Sequence, residues 1–236
     1  MYDRSVQFYD ALYGFKDYDA QTERLTRFIR AEYPDARTLL DVACGTGKHI
    51  ELLRRDYVCE GVDIKPEMLS IARERCPDVP FHVGDMTDFH LGRRFDVVMV
   101  LFSSIAYVKT PERFDLAIDR LCEHLDTGGL LIIEPFFDRE HFWTDRVTAN
   151  FVDQPELKIT WMYVARKEGE VGVLDIHYMV GTKDGVNEFV ERHELGLFDR
   201  EQYETAFRRN GISLRFDPDG FCGRGVYYGR RIRPLE

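Results

Sequence analysis

No run of about 20 apolar residues occurs anywhere in these 236 residues, so no membrane-spanning helix is expected. The opening Met-Tyr-Asp-Arg carries no apolar leader segment. None of the five cysteines, at 44, 59, 76, 122 and 222, stands in a Cys-x-x-Cys pair. They read as reduced, mostly buried thiols of a cytoplasmic protein, with no metal among the expected ligands. Positive charge is short: 32 Lys and Arg against 42 Asp and Glu leave a formal net charge of -10. That balance disfavours DNA or RNA as a partner, because a polyanion is bound mainly through Lys and Arg. Internal repeats and low-complexity segments are also missing. What is present, 44% apolar and 31% charged residues, is the profile of a globular protein. The length suits one large α/β domain, or one domain plus an insertion.

The chain is organised around Leu39-Leu-Asp-Val-Ala-Cys-Gly-Thr-Gly47. An apolar run ends in a turn with two glycines, and Lys48–Arg55 then reads as a helix. Glycine has no side chain to hold a ligand off the backbone, and ligands of open α/β sheets settle at strand carboxyl ends. A phosphate-binding loop would need Gly-x-x-x-x-Gly-Lys-Ser/Thr; here Gly45 and Gly47 are too close and Lys48 is followed by His49. A dinucleotide fingerprint needs a third small residue, and Ile50 stands there. Asp41-x-x-x-Gly45-x-Gly47 instead resembles the first motif of the class I S-adenosylmethionine-dependent methyltransferases.

Two helices precede this strand. Phe8, Tyr9, Leu12 and Tyr13 share one helical face, ended by Gly14, and Leu25, Phe28 and Ile29 recur at helical spacing in the second. The N-terminal aromatics either pack on the core or form a lid over the ligand. Val58–Asp63 is a short strand ending in an acid about 20 residues past the glycine turn, where ribose hydroxyls can be met. Such an acid suits S-adenosylmethionine and NAD equally. Pro66 opens a helix, on which Met68 could flank an adenine or simply pack. Val79–Val83 leads to Gly84-Asp85-Met86. Asp85 can accept from an adenine amino group and the Met86 N–H can meet a ring nitrogen. Three strand ends at the right spacing point to a bound adenosine.

Arg94–Leu101 contains a buried strand, followed by Phe102-Ser-Ser-Ile-Ala-Tyr107 where reacting groups belong. Thr110-Pro111 opens a helix that Gly128-Gly129 is expected to end, and Leu130–Pro135 is the fifth strand. Strand and helix have then alternated five times, which predicts a doubly wound parallel sheet. Asn150 to Phe198 changes rhythm, with strand-like runs at 157–165, 173–180 and 189–198. This reads as an antiparallel meander, inserted over 138–198 between the α/β parts 1–137 and 199–236. Its strands could cover the pocket, build a homodimer, or both. Asp199-Arg-Glu-Gln202 looks like a capping box. Ile212–Phe216 and Gly225–Arg231 complete a mostly parallel seven-stranded sheet as a hairpin.

Over its whole length the chain resembles a class I S-adenosylmethionine-dependent methyltransferase. More narrowly, it is similar to the dTDP-3-amino-sugar N,N-dimethyltransferases of macrolide deoxysugar pathways. The stretches that carry this are 39–47, 72–78, 84–89, 91–96, Phe102-Ser-Ser-Ile105, Ile176-His177 and Gly223-Arg-Gly225. The resemblance implies S-adenosylmethionine as cofactor, with contacts from Tyr18, Ala43, Gly45, Gly47, Asp63, Ile64, Met68, Asp85, Met86 and Leu101. It implies a small-molecule acceptor, a dTDP-amino sugar, met by Ser104, Phe136, Phe137 and Arg224. Tyr2, Tyr107 and His177 would orient its amine, with Arg224 on a phosphate. Each has a plain alternative: Tyr107 half-buried packing, His177 and His193 hydrogen-bonded core histidines, Arg224 a surface charge. Glu134-Pro135-Phe136-Phe137 departs from the Glu-Pro-Trp-Trp of that family; an indole N–H donates to phosphate and a phenyl ring does not. The competing functions are methylation of another small metabolite or peptide amine, and a non-catalytic nucleoside-binding module.

Overall fold

β1 (Thr38–Val42) lies in the middle of a seven-stranded sheet in the computed structural model of the chain, which describes residues 3–232. α3 (Lys48–Leu53), β2 (Val58–Asp63), α4 (Pro66–Arg75) and β3 (Phe81–Val83) carry the chain outward on one side. It then returns to the other side through β4 (Phe95–Val100), α5 (Pro111–Glu123) and β5 (Leu125–Ile133). β1, β2, β3, β4 and β5 pair in parallel. β11 (Ile212–Asp217) and β12 (Val226–Arg231) close the sheet as the expected antiparallel hairpin, giving the order β11-β12-β5-β4-β1-β2-β3. The winding direction reverses between β1 and β4, so a crevice opens at their carboxyl ends.

Alternation along the central strands feeds two cores. Leu39, Val97, Met99 and Ile132 face one side, against α3, α4 and α2 (Tyr18–Glu32). Leu40, Val98, Val100 and Ile133 face the other, against α5 and α6 (Arg200–Arg209). The caps are those the sequence predicts. Thr110 accepts from the Arg113 N–H at 3.3 Å, and Asp199 and Gln202 form the reciprocal capping box. Arg231 is fully buried and donates to the carbonyls of Cys122, in the last turn of α5, and Leu125, just past it.

Gly128-Gly129 does not end α5, which stops at Glu123. Both glycines lie inside β5, where the pairing slips from Phe95 with Leu125 to Val97 with Leu130. A Cβ on Gly129 would stand 2.8 Å from Leu125 Cδ1, so this bulge requires the missing side chain.

Between β5 and α6 lies a second, antiparallel sheet. β6 (Val147–Gln154), β7 (Leu157–Val164), β9 (Val171–Thr182) and β10 (Gly185–Gly196) run in the order β10-β9-β7-β6, with β8 (Arg166–Glu168) paired to β9. β6 goes beyond the expected runs; its exposed face is too mixed to show as alternation. The inner face packs Val152, Ile159, Tyr178 and Val180 against Leu12 and Phe8, from α1 (Tyr9–Leu12) and the turn before it. The N-terminal segment is therefore layered between the second sheet and the crevice. Among the described residues no helix is long and apolar enough to cross a membrane.

Candidate active site

The turn after β1 is left-handed at alternate residues: Ala43 (φ 62°), Gly45 (φ 55°) and Gly47 (φ 74°). Only glycine takes that conformation without penalty, so Ala43 costs roughly 1 kcal/mol there. Gly47 lines neither of the two recesses found at this end of the sheet; a Cβ on it would press within 3.2 Å of Ala72 Cβ, so it serves helix-on-strand packing instead. Gly45 faces open space, with the Tyr9 ring 4.0 Å from where a Cβ would sit. At the end of β2, Asp63 accepts from the Gly45 N–H (2.8 Å) and the Lys65 N–H (2.9 Å). Burial raises its pKa, and these two N–H groups pull against that rise.

Asp85, after β3, accepts at Oδ1 from the Thr87 N–H and hydroxyl, and at Oδ2 from Arg113 at 2.7 Å. Burial works against its ionisation, but those hydrogen bonds win and hold the carboxyl below its ordinary range. With Ala43, Gly45, Ile64, Met68 and Met86, the two acids line one crevice of about 780 Å³, part of it open to solvent. Ser104 and Tyr107 form its far wall, and Tyr9, Lys65 and Arg113 edge it. A smaller recess of about 370 Å³ adjoins it, lined by Tyr18, His49, Leu101 and Phe102. Tyr9, Ala43, Gly45 and Ser104 border both. Of the expected cofactor residues, all but Gly47 line one or the other. Burial holds Tyr9 as a neutral phenol, and burial with the nearby Lys16 holds His49 neutral, at about 3.

Past β4 the chain turns through two left-handed residues, Phe102 (φ 56°) and Ser103 (φ 61°). The buried Glu134 carboxylate braces the turn by accepting from the Phe102 N–H at 2.9 Å and the Phe221 N–H at 3.3 Å. Ser103 donates to the Pro135 carbonyl at 2.7 Å and accepts from Arg224 at 2.9 Å. The Arg224 guanidinium also lies 5.9 Å from the Phe136 ring centre and 5.5 Å from that of Phe137. The two phenyl rings thus form a face for the arginine within an aromatic cluster with Phe142 and Trp143.

The Tyr107 hydroxyl lies 2.8 Å from His193 Nδ1. The expected His177 is not in this site: it is exposed, paired across strands with Met162 and Val190 on the outer face of the second sheet. His193 pairs with Leu174, three residues from His177, and so takes the opposite, buried face. Behind it, Glu191 lies 3.9 Å from His193 and accepts from the backbone N–H groups of Asp3, Arg4 and Ser5. Tyr2 lies outside the described residues.

A family model described as a methyltransferase domain matches residues 39–129. A dTDP-3-amino-3,6-dideoxy-alpha-D-glucopyranose N,N-dimethyltransferase of Streptomyces fradiae is 39% identical over 216 residues, covering 91% of this chain and 85% of that relative. The chain belongs to the methyltransferase family. The methyltransferase superposes on the crystal structure of Streptomyces venezuelae DesVI with a TM-score of 0.89 at 35% identity, over 95% of this chain and 96% of that one. The SAM-bound structure of CalS10, an amino pentose methyltransferase from Micromonospora echinaspora, gives a TM-score of 0.88 at 32% identity, over 95% and 96%. The class I fold expected from the strand order is therefore the fold of this methyltransferase. Sequence reasoning missed Lys65, Arg113 and Glu191, and left Tyr9 as one of several helix-face aromatics. Only the helical spacing of Tyr9 and Tyr13 gave any signal for this group.

Proposed function

We propose that this methyltransferase moves methyl groups from S-adenosylmethionine to the amine of a nucleotide-linked amino sugar, a dTDP-3-amino sugar first among them, and does so twice. The observation that carries the reading is a nucleoside-sized crevice at the switch point whose far wall leads, through Ser103 and Ser104, to the uncovered cation of Arg224. The identity to sugar N,N-dimethyltransferases supports it. The residues fit the cofactor. Gly45 leaves backbone open where a side chain would intrude, Asp63 has lone pairs left for ribose hydroxyls, and Asp85, Met68 and Met86 surround space for a base.

Bound there, S-adenosylmethionine supplies an electrophilic methyl on a sulfonium. The chain supplies alignment and exclusion of water, and orientation is worth ~7–11 kcal/mol when reacting atoms are held in line. An amine attacks through its lone pair and so must be unprotonated, a condition partly met near pH 7–8 without a strong base. With its O–H donated in a hydrogen bond to His193 Nδ1, the Tyr107 oxygen keeps lone pairs to accept an amine N–H and so aim the nitrogen. Arg224 meets a phosphate of the acceptor. The test is incubation with labelled S-adenosylmethionine and a panel of dTDP-amino sugars, with mass analysis for the gain of two methyl groups. Turnover of other amines or hydroxyls with none of the nucleotide sugars overturns the acceptor. Calorimetric binding of NAD without S-adenosylmethionine overturns the enzyme.

The same reading places the protein in the cytoplasm, where five unpaired thiols are at home, and makes it a homodimer. Val147, Phe151, Met162, Val164, Met179 and Val190 all stand 44–67% exposed on the outer face of the second sheet. Monomers rarely expose a contiguous apolar patch above a few hundred Å², and a two-fold contact needs a self-complementary surface. Of the charges on this face, Arg166 is paired with Asp175 and Arg192 with Glu168, which limits like-charge clash when the patch faces itself. Met162→Glu with Val190→Glu should turn a dimer into a monomer by light scattering. A wild-type monomer at micromolar concentration refutes this.

A further inference from the structure

Lys16 is left without a role by the reading above. It follows α1, and its ammonium lies 2.8 Å from the centre of the Phe102 ring and 4.2 Å from that of Tyr13. Among the described residues no carboxylate stands within ion-pair distance of it. Arg224 is in the same condition: it donates to the Ser103 hydroxyl and faces two phenyl rings, with no acid paired to it among the described residues. The one acid whose charge bears on Lys16, Glu134, already accepts from the backbone N–H groups of Phe102 and Phe221. The two cations meet on neighbouring residues, Lys16 on the Phe102 ring and Arg224 on the Ser103 hydroxyl, and after burial Arg224 is the next cause that brings the Lys16 ammonium down to about 7. With the single carboxylate of Glu134 near them, two like charges set against aromatic faces leave one positive charge unbalanced, which an anion arriving between them offsets.

We propose that Lys16 and Arg224, brought together from opposite ends of the chain, form one anion-binding site at the carboxyl end of β4 that takes an oxyanion of a bound ligand. Two ligand groups have that chemistry: the phosphates of a nucleotide-linked acceptor and the amino-acid carboxylate of the methyl donor. The site deepens the function proposed above, and in its phosphate form rests on it.

An anion between the two cations favours the protonated amine of Lys16, so binding draws in a proton near pH 7.5. The groups facing Lys16 are Arg224, Glu134, Cys222, His49 and Tyr13. Burial, helped by Lys16, holds His49 at about 3, and burial, with Glu134, pushes Cys222 up to about 12, so neither takes up that proton.

The experiment is calorimetry on the full chain at pH 7.5 with three probes: inorganic pyrophosphate, S-adenosylhomocysteine, and 5′-methylthioadenosine, which lacks the carboxylate. Each is titrated in two buffers of different ionisation enthalpy, into wild type, Lys16→Met and Lys16→Arg. Methionine keeps the stem on Phe102 and removes the charge. In Lys16→Met, at least a tenfold loss of pyrophosphate affinity identifies a phosphate subsite. The same loss for S-adenosylhomocysteine with methylthioadenosine unchanged identifies the carboxylate. Lys16→Arg should stay within about threefold of wild type for whichever probe responds. The proposal is overturned if Lys16→Met binds all three probes as wild type does. If Lys16→Met does not fold, the wild-type data decide: no proton uptake with either anion overturns it. Methylthioadenosine binding reports a sound adenosine site throughout, and pyrophosphate binding needs no methyl transfer. A failed amino-sugar assay is therefore distinguishable from a failed anion site.

Discussion

Replacing Glu191 by Gln should unfasten the N-terminal segment from the second sheet. Glu191 Oε1 accepts from the N–H groups of Asp3 (2.9 Å), Arg4 (2.7 Å) and Ser5 (3.0 Å), and Oε2 from the Ser5 hydroxyl (2.5 Å). Glu191 is only 6% exposed and Ser5 not at all. Burial opposes the charge, but His193 and the Ser5 and Arg4 donors more than offset it and hold the carboxyl at about 2. Against an ordinary value of 4.5, at 1.36 kcal/mol per unit this amounts to ~3 kcal/mol of preference for the charged form. The folded pKa is the lower one, so the contribution is whole above about pH 4.5 and disappears as pH falls toward 2. Hydrogen exchange at the amides of residues 4 and 5, with urea unfolding of wild type and Glu191→Gln at pH 7 and pH 3, measures it. The amides should exchange at least tenfold faster in the variant at pH 7, and the stability gap should narrow at pH 3. Equal protection in both proteins, or a gap independent of pH, refutes the reasoning.

Gly45→Ala places a Cβ at φ 55° on the open side of the turn; stability should fall by ~1 kcal/mol, while calorimetry shows S-adenosylmethionine affinity falling tenfold or more. His177→Ala should leave kcat within twofold, since the side chain is exposed on the outer face, whereas His193→Phe should lower kcat about tenfold by releasing the Tyr107 hydroxyl. Steady-state kinetics on both variants with the same acceptor decides between them.

The choice between the two histidines marks where reading the sequence stopped. Leu174, Ile176 and Tyr178 alternate with Asp175, His177 and Met179, so two unlike faces were legible. Which face looks inward depends on what packs on it, and that is the N-terminal segment, more than 150 residues away in the chain. The strand-end acids Asp63 and Asp85 were legible because a parallel sheet repeats one unit at fixed spacing. The cations Lys16, Lys65 and Arg113 were not, since nothing in a lone basic residue's neighbours tells a solvated charge from one folded over a crevice or an aromatic ring. Gly128-Gly129 was misread as a helix stop because a glycine pair serves equally to end a helix or to bulge a strand. The pairing slip opposite Phe95 decides that, and it is a property of two strands.

Arg231 has a consequence for how the protein is made. Its guanidinium serves carbonyls at Cys122 and Leu125, 109 and 106 residues earlier. At the ~5–20 residues per second of synthesis, those carbonyls wait roughly 5–20 seconds for their donor. During that interval β5 is a bare sheet edge, open to pairing with the wrong strand. A nascent chain stalled before residue 226 should therefore be the form that chaperones hold.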